Sequence, residues 1–198
     1  MRKLFSLFLK LEGRRCLVVG AGEIGESKIA SLLDTNAIVF VVAPDGTATV
    51  EKWAREGTIQ WSRREFQDSD LDGCSLVIAA TSSSPLHERI SGLARERGVL
   101  CNIVDVPELC DFYYGAVVTR GALQIAISTD GESPALAQRL RKELESQFGE
   151  EYAEWLTELG EVRKKIRLEI KDPQEQKARL HEAASALAFQ QFLGRRKK

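Results

Sequence analysis

The stretch that decides the fold runs from Arg15 to Gly25 and reads R-C-L-V-V-G-A-G-E-I-G. Its apolar beginning, Arg15–Val19, predicts a short buried strand. Three glycines then follow at the spacing G-x-G-x-x-G: Gly20, Gly22 and Gly25. In a strand–turn–helix context the first glycine permits a tight turn, the second lets a pyrophosphate approach the backbone, and the third lets the helix pack on the sheet. The motif therefore predicts a dinucleotide site, with a purely structural glycine turn as the alternative.

Strand-like and helix-like segments alternate around this turn. The runs predicted as strands are Arg15–Val19, Ile38–Val42, Ile59–Ser62, Leu76–Ala80 and Leu100–Val104. The segments predicted as helices are Glu23–Leu33, Thr47–Glu56 and Pro85–Arg97. Apolar strands that alternate with helices are typical of a doubly wound parallel sheet. We therefore predict an α/β fold with a Rossmann-type domain over residues 1–112.

The pattern changes after residue 112. Two strand-like runs, Phe112–Thr119 and Leu123–Ser128, are close enough in sequence to form an antiparallel hairpin. A helix beginning at Ser133-Pro134 completes a predicted region over 113–148. The remainder, 149–198, is predicted as helical: one helix over Tyr152–Ile170, a break at Asp172-Pro173, and a third helix to about Phe192. Because these apolar faces lack core partners, we expect a homodimer, the alternative being that they fold back onto the Rossmann domain.

Composition excludes several classes of function. The chain has 198 residues, 43% hydrophobic and 29% charged, with a net charge of −1, which does not favour nucleic-acid binding. Four cysteines without C-x-x-C spacing predict buried thiols in a reducing compartment, and two histidines do not favour a metal site. The segment 1–10 predicts an edge segment of the domain rather than a signal peptide. No run is long enough to span a bilayer, so we expect a cytoplasmic protein.

Two further segments are candidates for cofactor contacts. Asp45, just after Pro44 at the predicted end of the second strand, lies where an acid binds the ribose of NAD, and no adjacent arginine could take a 2′-phosphate. A turn at these residues is the alternative. Small residues around Thr81, which follows the fourth strand, leave room for the nicotinamide ribose, although Ser84-Pro85 is also consistent with a helix cap.

The candidate catalytic residue is Asp105. It follows a buried strand at the carboxyl edge of the predicted sheet, where ligands bind in such folds. Asn102 precedes it by three residues. The alternative is that Asp105 caps a turn before Pro107.

Four segments resemble the precorrin-2 dehydrogenase / sirohydrochlorin ferrochelatase family, which also forms the amino-terminal half of siroheme synthases. They are L-F-L-K-L-E-G-R-R-C-L-V-V-G-A-G over 7–22, A-A-T-S over 79–82, C-N-I-V-D-V-P-E-L-C-D-F over 101–112, and I-A-I-S-T-D-G-E-S-P-A-L-A over 125–137. The resemblance covers about the first 150 residues. At Thr129-Asp130-Gly131 the family more often has two glycines.

The resemblance implies NAD-dependent oxidation of precorrin-2 to sirohydrochlorin, followed in many members by insertion of ferrous iron as a substrate. It assigns proton transfer to Asp105, and substrate contacts to Asn102 and Thr129. It assigns cofactor contacts to Glu23, Ile24, Pro44 and Asp45, and it implies a homodimer. Arg120, Arg139, Arg141 and Lys142 are candidates to offset substrate carboxylates, or are surface charges. Two alternatives are a dinucleotide-sensing regulatory module without catalysis and a dehydrogenase without chelatase activity.

Overall fold

A computed structural model describes residues 4–196, which form two compact units adjoining in sequence at Tyr113 and Tyr114. Within these residues the first unit contains five strands and three α-helices. They are β1 (Arg15–Ala21), α1 (Glu23–Leu33), β2 (Ile38–Gly46), α2 (Ala48–Arg55), β3 (Gln60–Ser62), β4 (Leu76–Ala79), α3 (Ser84–Arg97) and β5 (Leu100–Ile103). Short 3-10 turns occur at Asp68–Leu71 and Pro107–Leu109.

The five strands form one parallel sheet in the order β3-β2-β1-β4-β5. Residues of β1 alternate between two apolar clusters, because successive side chains of a strand point to opposite faces. Cys16 and Val18 pack with the helix residue Ile29, whereas Leu17 and Val19 pack with Ile90 of α3. The sheet is therefore covered on both faces, which explains why its strands are apolar throughout.

The second unit consists of a hairpin and four helices among the described residues. They are β6 (Ala116–Arg120), β7 (Leu123–Ile127), α4 (Pro134–Gln147), α5 (Glu151–Glu169), α6 (Pro173–Ala183) and α7 (Ala186–Arg196). Arg120 pairs with Leu123 across a two-residue turn that begins with Gly121 at a φ of +57°. A Cβ on Gly121 would lie 3.0 Å from the Cβ of Ala153, so α5 lies directly against the hairpin turn.

Aromatic side chains join α5 to α7 within the second unit. The ring centroids of Tyr152 and Trp155 lie 4.5 and 4.6 Å from that of Phe189. The ring of Phe148, the residue after α4, lies 5.0 Å from that of Tyr152 at an angle of 59°. These contacts partly cover one face of α5, and tertiary packing of this kind supplies most of the stability of a helix in a protein.

The structure confirms the predicted fold class and corrects several details. The hairpin begins at Ala116 rather than Phe112. The segment predicted at the domain edge forms no helix or strand over residues 4–10, and residues 1–3 lie outside the described residues. The predicted third helix is two helices, because Ser185 accepts a hydrogen bond from the N–H of Ala188 and caps α7. The boundary between 148 and 149 stays a prediction.

Candidate functional site

The candidate site of the first unit lies at the carboxyl edge of the parallel sheet. Strand β1 has β2 on one side and β4 on the other, so the connections that follow β1 and β4 diverge at this point. Ligands of open α/β sheets bind at such a switch point. The glycine turn after β1, Thr81 after β4 and Asp105 after β5 all follow the carboxyl ends of their strands.

Two glycines of the turn are required by the packing of the protein itself. Gly20 has a φ of +100°, and a Cβ placed on it would lie 2.3 Å from the carbonyl oxygen of Ala80. A Cβ on Gly25 would lie 2.2 Å from the carbonyl oxygen of Gly20. Both contacts are with backbone atoms, which cannot move aside as a flexible side chain can. Gly20 and Gly25 therefore allow the first turn of α1 to approach the sheet.

Gly22 has a different environment. It occupies the N-cap of α1 with φ −71° and ψ −173°, and a Cβ on it would meet no atom within 4 Å. The first hydrogen bond of α1 runs from the N–H of Glu26 to its carbonyl, at 2.8 Å, so earlier N–H groups have no acceptor within the helix. Glu23 is exposed, and Ile24 is 51% exposed. Open space above a helix N-terminus fits a pyrophosphate, so the residues present suit a dinucleotide.

The end of β2 bulges beside the turn. Val19 pairs with Val42, but Ala21 pairs with Gly46, so Gly20 stands opposite the run Ala43–Asp45. Pro44 and Asp45 are both exposed at this edge. The predicted ribose-binding acid is thus accessible and lies in the same bulge as the proline. The segment is the end of a strand rather than the isolated turn given as the alternative.

A cluster of three side chains beside this strand end was not predicted from the sequence. The indole N–H of Trp61 donates to the carbonyl of Ala43 at 3.0 Å, and a Cβ on Gly46 would lie 2.8 Å from the indole ring. The guanidinium of Arg63 lies 4.2 Å from the centroid of this ring and bonds to Glu51 at 2.7 Å. No local pattern predicts this contact, because its members lie on β3, after β3 and on α2.

Thr81 is held by a buried histidine. The Nε2 atom of His87 lies 2.9 Å from the carbonyl oxygen of Thr81 and 3.0 Å from its hydroxyl. The sequence assigned His87 no role. Ser84 is the first residue of α3, and Ser83 occupies the N-cap position without a side-chain capping bond. The interpretation of Ser84 as a cap is therefore wrong, and Thr81 is positioned by α3 through His87.

Asp105 lies in a strained and exposed backbone position. Its φ is +63°, a left-handed value that is uncommon for residues other than glycine and often found at functional sites. The negative charge of Asp105 acts on the Lys28 side chain of α1. Burial lowers the pKa of the Lys28 ammonium, and the charge of Asp105 opposes part of that lowering. The acid therefore lies within electrostatic reach of the helix that begins at the glycine turn.

The loop that carries Asp105 is closed at its base by a set of side-chain hydrogen bonds. The Asp111 carboxylate accepts from the N–H of Cys101 at 2.9 Å, and the Asn102 amide donates to the carbonyl of Phe112 at 2.8 Å. The Cys110 thiol accepts from the N–H of Ile103 at 3.2 Å. These contacts hold both ends of the loop, which explains how Asp105 keeps an unfavourable φ.

The thiols should react slowly in the folded protein. Burial raises the pKa of Cys16 to about 11 and that of Cys101 to about 12, and it also raises the pKa values of Cys74 and Cys110. Since only the thiolate attacks, a thiol of pKa 11 is about one part in a thousand reactive at pH 8.

Ellman's reagent at pH 8 should therefore modify fewer than roughly one thiol per chain within minutes, and all four after unfolding in guanidinium. If a native thiol reacts fast and this reaction is lost in the Cys110→Ser variant, the reactive thiol is Cys110 and the Asp105 loop opens in solution.

The two residues assigned to the substrate have different environments. Asn102 is only 7% exposed, with its amide used in the loop described above. Thr129 belongs to the second unit, where its hydroxyl accepts from the N–H of Ser133 at 3.3 Å, just before α4. Asp130 has a φ of +54°, a left-handed value that is commonest for glycine and that Asp tolerates better than most other residues.

The arginines considered for substrate carboxylates are paired within the second unit. Arg120 donates to the carbonyls of Phe148 and Glu145 at 2.8 and 3.2 Å. The guanidinium of Arg139 bonds to Glu143, and that of Arg141 bonds to Glu145. Over residues 4–196 we found no group of three acidic, histidine or cysteine side chains arranged to hold a metal ion. The same residues contain no helix with the length and hydropathy of a membrane span.

Comparison with known proteins identifies the family. Residues 7–116, more than half of the chain, match the family model described as "Putative NAD(P)-binding". The chain belongs to this NAD(P)-binding family. Residues 120–147 match a second model, described as the central part of a sirohaem biosynthesis protein. The cofactor class of the site is thus a nicotinamide dinucleotide, as the glycine turn predicted.

Two curated relatives of the chain are siroheme synthases. The siroheme synthase of Methylococcus capsulatus is 35% identical over 175 residues, covering 88% of this chain and 36% of that protein. The siroheme synthase of Pseudomonas entomophila is 41% identical over 161 residues, covering 81% and 35%. The chain thus spans about a third of the length of these curated relatives.

A solved structure matches along nearly the whole chain. The precorrin-2 dehydrogenase SirC superposes with a TM-score of 0.78 at 27% identity, covering 97% of this chain and 98% of that one. The resemblance stated from the sequence is therefore confirmed.

Proposed function

We propose that the chain oxidises precorrin-2 to sirohydrochlorin, with NAD as hydride acceptor and Asp105 as proton acceptor. The observation that carries the proposal is the exposed Asp105, held with a left-handed backbone at the same sheet edge as a glycine turn that fits a dinucleotide. The full-length similarity to SirC and the siroheme synthase relatives support it. The same observations do not favour a sensing module, which would need no acid at position 105.

Asp105 is suited to accept a proton. The oxidation removes two hydrogens from the macrocycle, one as hydride and one as a proton. When bound, the oxidised nicotinamide takes the hydride. A positioned carboxylate takes the proton, and it must lie within hydrogen-bond reach of the acidic C–H or pyrrole N–H. The closed base of the loop keeps the Asp105 carboxylate in place while the large substrate enters and leaves.

The finer assignments at the cofactor site form part of the proposal. Asp45, exposed at the end of β2, accepts a hydrogen bond from the adenosine ribose, which favours NAD over NADP. The backbone at Gly22, together with Glu23 and Ile24, faces the pyrophosphate. Pro44 shapes the bulge, and Thr81, fixed by His87, contacts the nicotinamide side.

Asn102 acts through the Asp105 loop, because its amide is buried. In the second unit, Thr129 is our candidate for a contact with the tetrapyrrole. Insertion of ferrous iron, with Asp105 accepting pyrrole protons, is a second step that we propose for the same acid.

Two further proposals concern assembly and location. On the hairpin, Val117 pairs with Ala126 on an exposed face, and Val117 is 38% exposed, so we propose that this face contacts a second copy of the chain. We also propose a cytoplasmic location, because three of the four cysteines are buried, as is usual for structural thiols in a reducing compartment.

The test is to mix the purified chain with NAD and precorrin-2 and to follow the sirohydrochlorin spectrum together with NADH formation. We expect equal amounts of both products, and no product when NAD is omitted. NAD binding without product would contradict the proposed oxidation and favour the sensing module. Adding ferrous ion to sirohydrochlorin, with and without the protein, tests the second step separately.

A further inference from the structure

We propose that Glu51 sets the preference for NAD over NADP by occupying Arg63, the guanidinium beside the adenosine end of the cofactor site. The inference rests on the proposed function, because it assumes that the glycine turn binds a nicotinamide dinucleotide. It adds a specificity-determining ion pair to the site, and Asp45 is then not the only group that discriminates between the two cofactors.

Trp61 connects this ion pair to the cofactor site. Its indole ring packs against Gly46, the residue after Asp45, and its N–H is bonded to the carbonyl of Ala43. Ala21 of the glycine turn pairs with Gly46 across the sheet, and the N–H of Thr47 donates to the carbonyl of Ala21 at 3.0 Å. The indole therefore lies at the end of β2, where the adenosine ribose of a dinucleotide binds in this fold.

Arg63 lies over the ring of the same indole. Its guanidinium is 4.2 Å from the ring centroid, so Arg63 and Gly46, which follows the exposed Asp45, both contact this one ring. Stacking on an aromatic ring is favourable for arginine and leaves the edge of its planar fork able to bind a phosphate. One nitrogen of this guanidinium, Nη2, donates to Oε1 of Glu51 at 2.7 Å.

The Arg63–Glu51 pair is exposed and should open readily. The side chains of Arg63 and Glu51 are 59% and 45% exposed. Exposed ion pairs contribute little to stability, and a doubly charged phosphate is a stronger partner for arginine than a carboxylate. In the native protein, however, a 2′-phosphate would meet both the Asp45 and Glu51 carboxylates. Glu51 thus neutralises Arg63, which would favour NADP, and adds a repelling charge.

The experiment measures binding of NAD and NADP to Glu51→Gln by calorimetric titration of the full chain. We expect the affinity for NADP to rise about tenfold and that for NAD to change by less than about twofold, since one charge-assisted bond to phosphate is gained. The matched control is Glu56→Gln, which removes the same charge from a glutamate paired with Lys52 at the other end of α2, and which should leave both affinities unchanged.

The double variant Glu51→Gln/Arg63→Gln separates the release of Arg63 from a simple loss of negative charge. We expect it to bind NADP as weakly as the native protein. An NADP affinity that is unchanged in Glu51→Gln, or a gain that persists in the double variant, would overturn the inference while leaving NAD binding by the native chain intact. Failure of the native chain to bind either dinucleotide would overturn the proposed function as well.

Discussion

Replacing Asp105 with asparagine should lower the rate of precorrin-2 oxidation by about 10²- to 10⁴-fold, because an amide cannot accept the proton. Asparagine has nearly the same shape and tolerates left-handed backbone better than most residues, so the φ of +63° should be retained. The affinity for NAD should therefore stay within about twofold, since no cofactor contact is removed. Initial rates of NADH formation and calorimetric titration with NAD measure the two quantities.

Glu108→Gln is the control for this substitution. Glu108 is exposed in the same loop, within the turn Pro107–Leu109, and its replacement removes one charge without touching the proposed proton acceptor. Its rate should stay within about twofold of the native value. If Asp105→Asn keeps the native rate, the assigned role is wrong. If it loses NAD affinity as much as turnover, Asp105 acts on cofactor binding or on folding instead.

The second large effect is expected from the glycine turn, where one alanine substitution should lower the stability of the fold and another should lower the affinity for NAD. Gly25→Ala places a Cβ 2.2 Å from the carbonyl oxygen of Gly20. Because backbone must move to relieve that contact, the free energy of unfolding should fall by about 3 kcal/mol. For a chain of this size that corresponds to a decrease in Tm of roughly 6–12 °C, measurable by calorimetry.

Gly22→Ala should instead leave the fold nearly unchanged and weaken cofactor binding. A Cβ at this position meets no protein atom within 4 Å, so the cost is limited to the N-cap preference, a few tenths of a kcal/mol to about 1 kcal/mol. The same Cβ would occupy the space proposed for the pyrophosphate, so NAD affinity should fall about tenfold or more. Native NAD affinity in Gly22→Ala would mean that the pyrophosphate does not pass over Gly22.

Much of the fold follows from local patterns. The apolar runs of β1, β4 and β5 and the glycine turn predicted a parallel sheet, because strands buried on both faces need apolar residues throughout. The Ser133-Pro134 signal placed the start of α4, where the Ser133 hydroxyl accepts from the N–H of Leu136 at 3.2 Å. The break between α6 and α7 had a similar signal in Ser185, but its neighbours are strong helix formers, which concealed it.

The candidate site was predictable only in part. The positions of Gly20, Gly22, Asp45 and Asp105 follow from their place after strands, because the carboxyl ends of parallel strands meet at one edge. The environment of each residue does not follow from its place in the sequence. That Gly25 is required by packing while Gly22 faces open space depends on how closely α1 approaches the sheet.

By itself, the order of residues determined the succession of strands and helices, the glycine turn and the buried strand before Asp105, because each depends on neighbours within a few positions. Only the tertiary structure decided the left-handed backbone of Asp105, the closure of its loop by Cys110 and Asp111, and the ion pair of Arg63 with Glu51 on Trp61. The physical reason is that a strained backbone or an ion pair of this kind is held by contacts between residues about ten apart in the sequence, which no local propensity encodes.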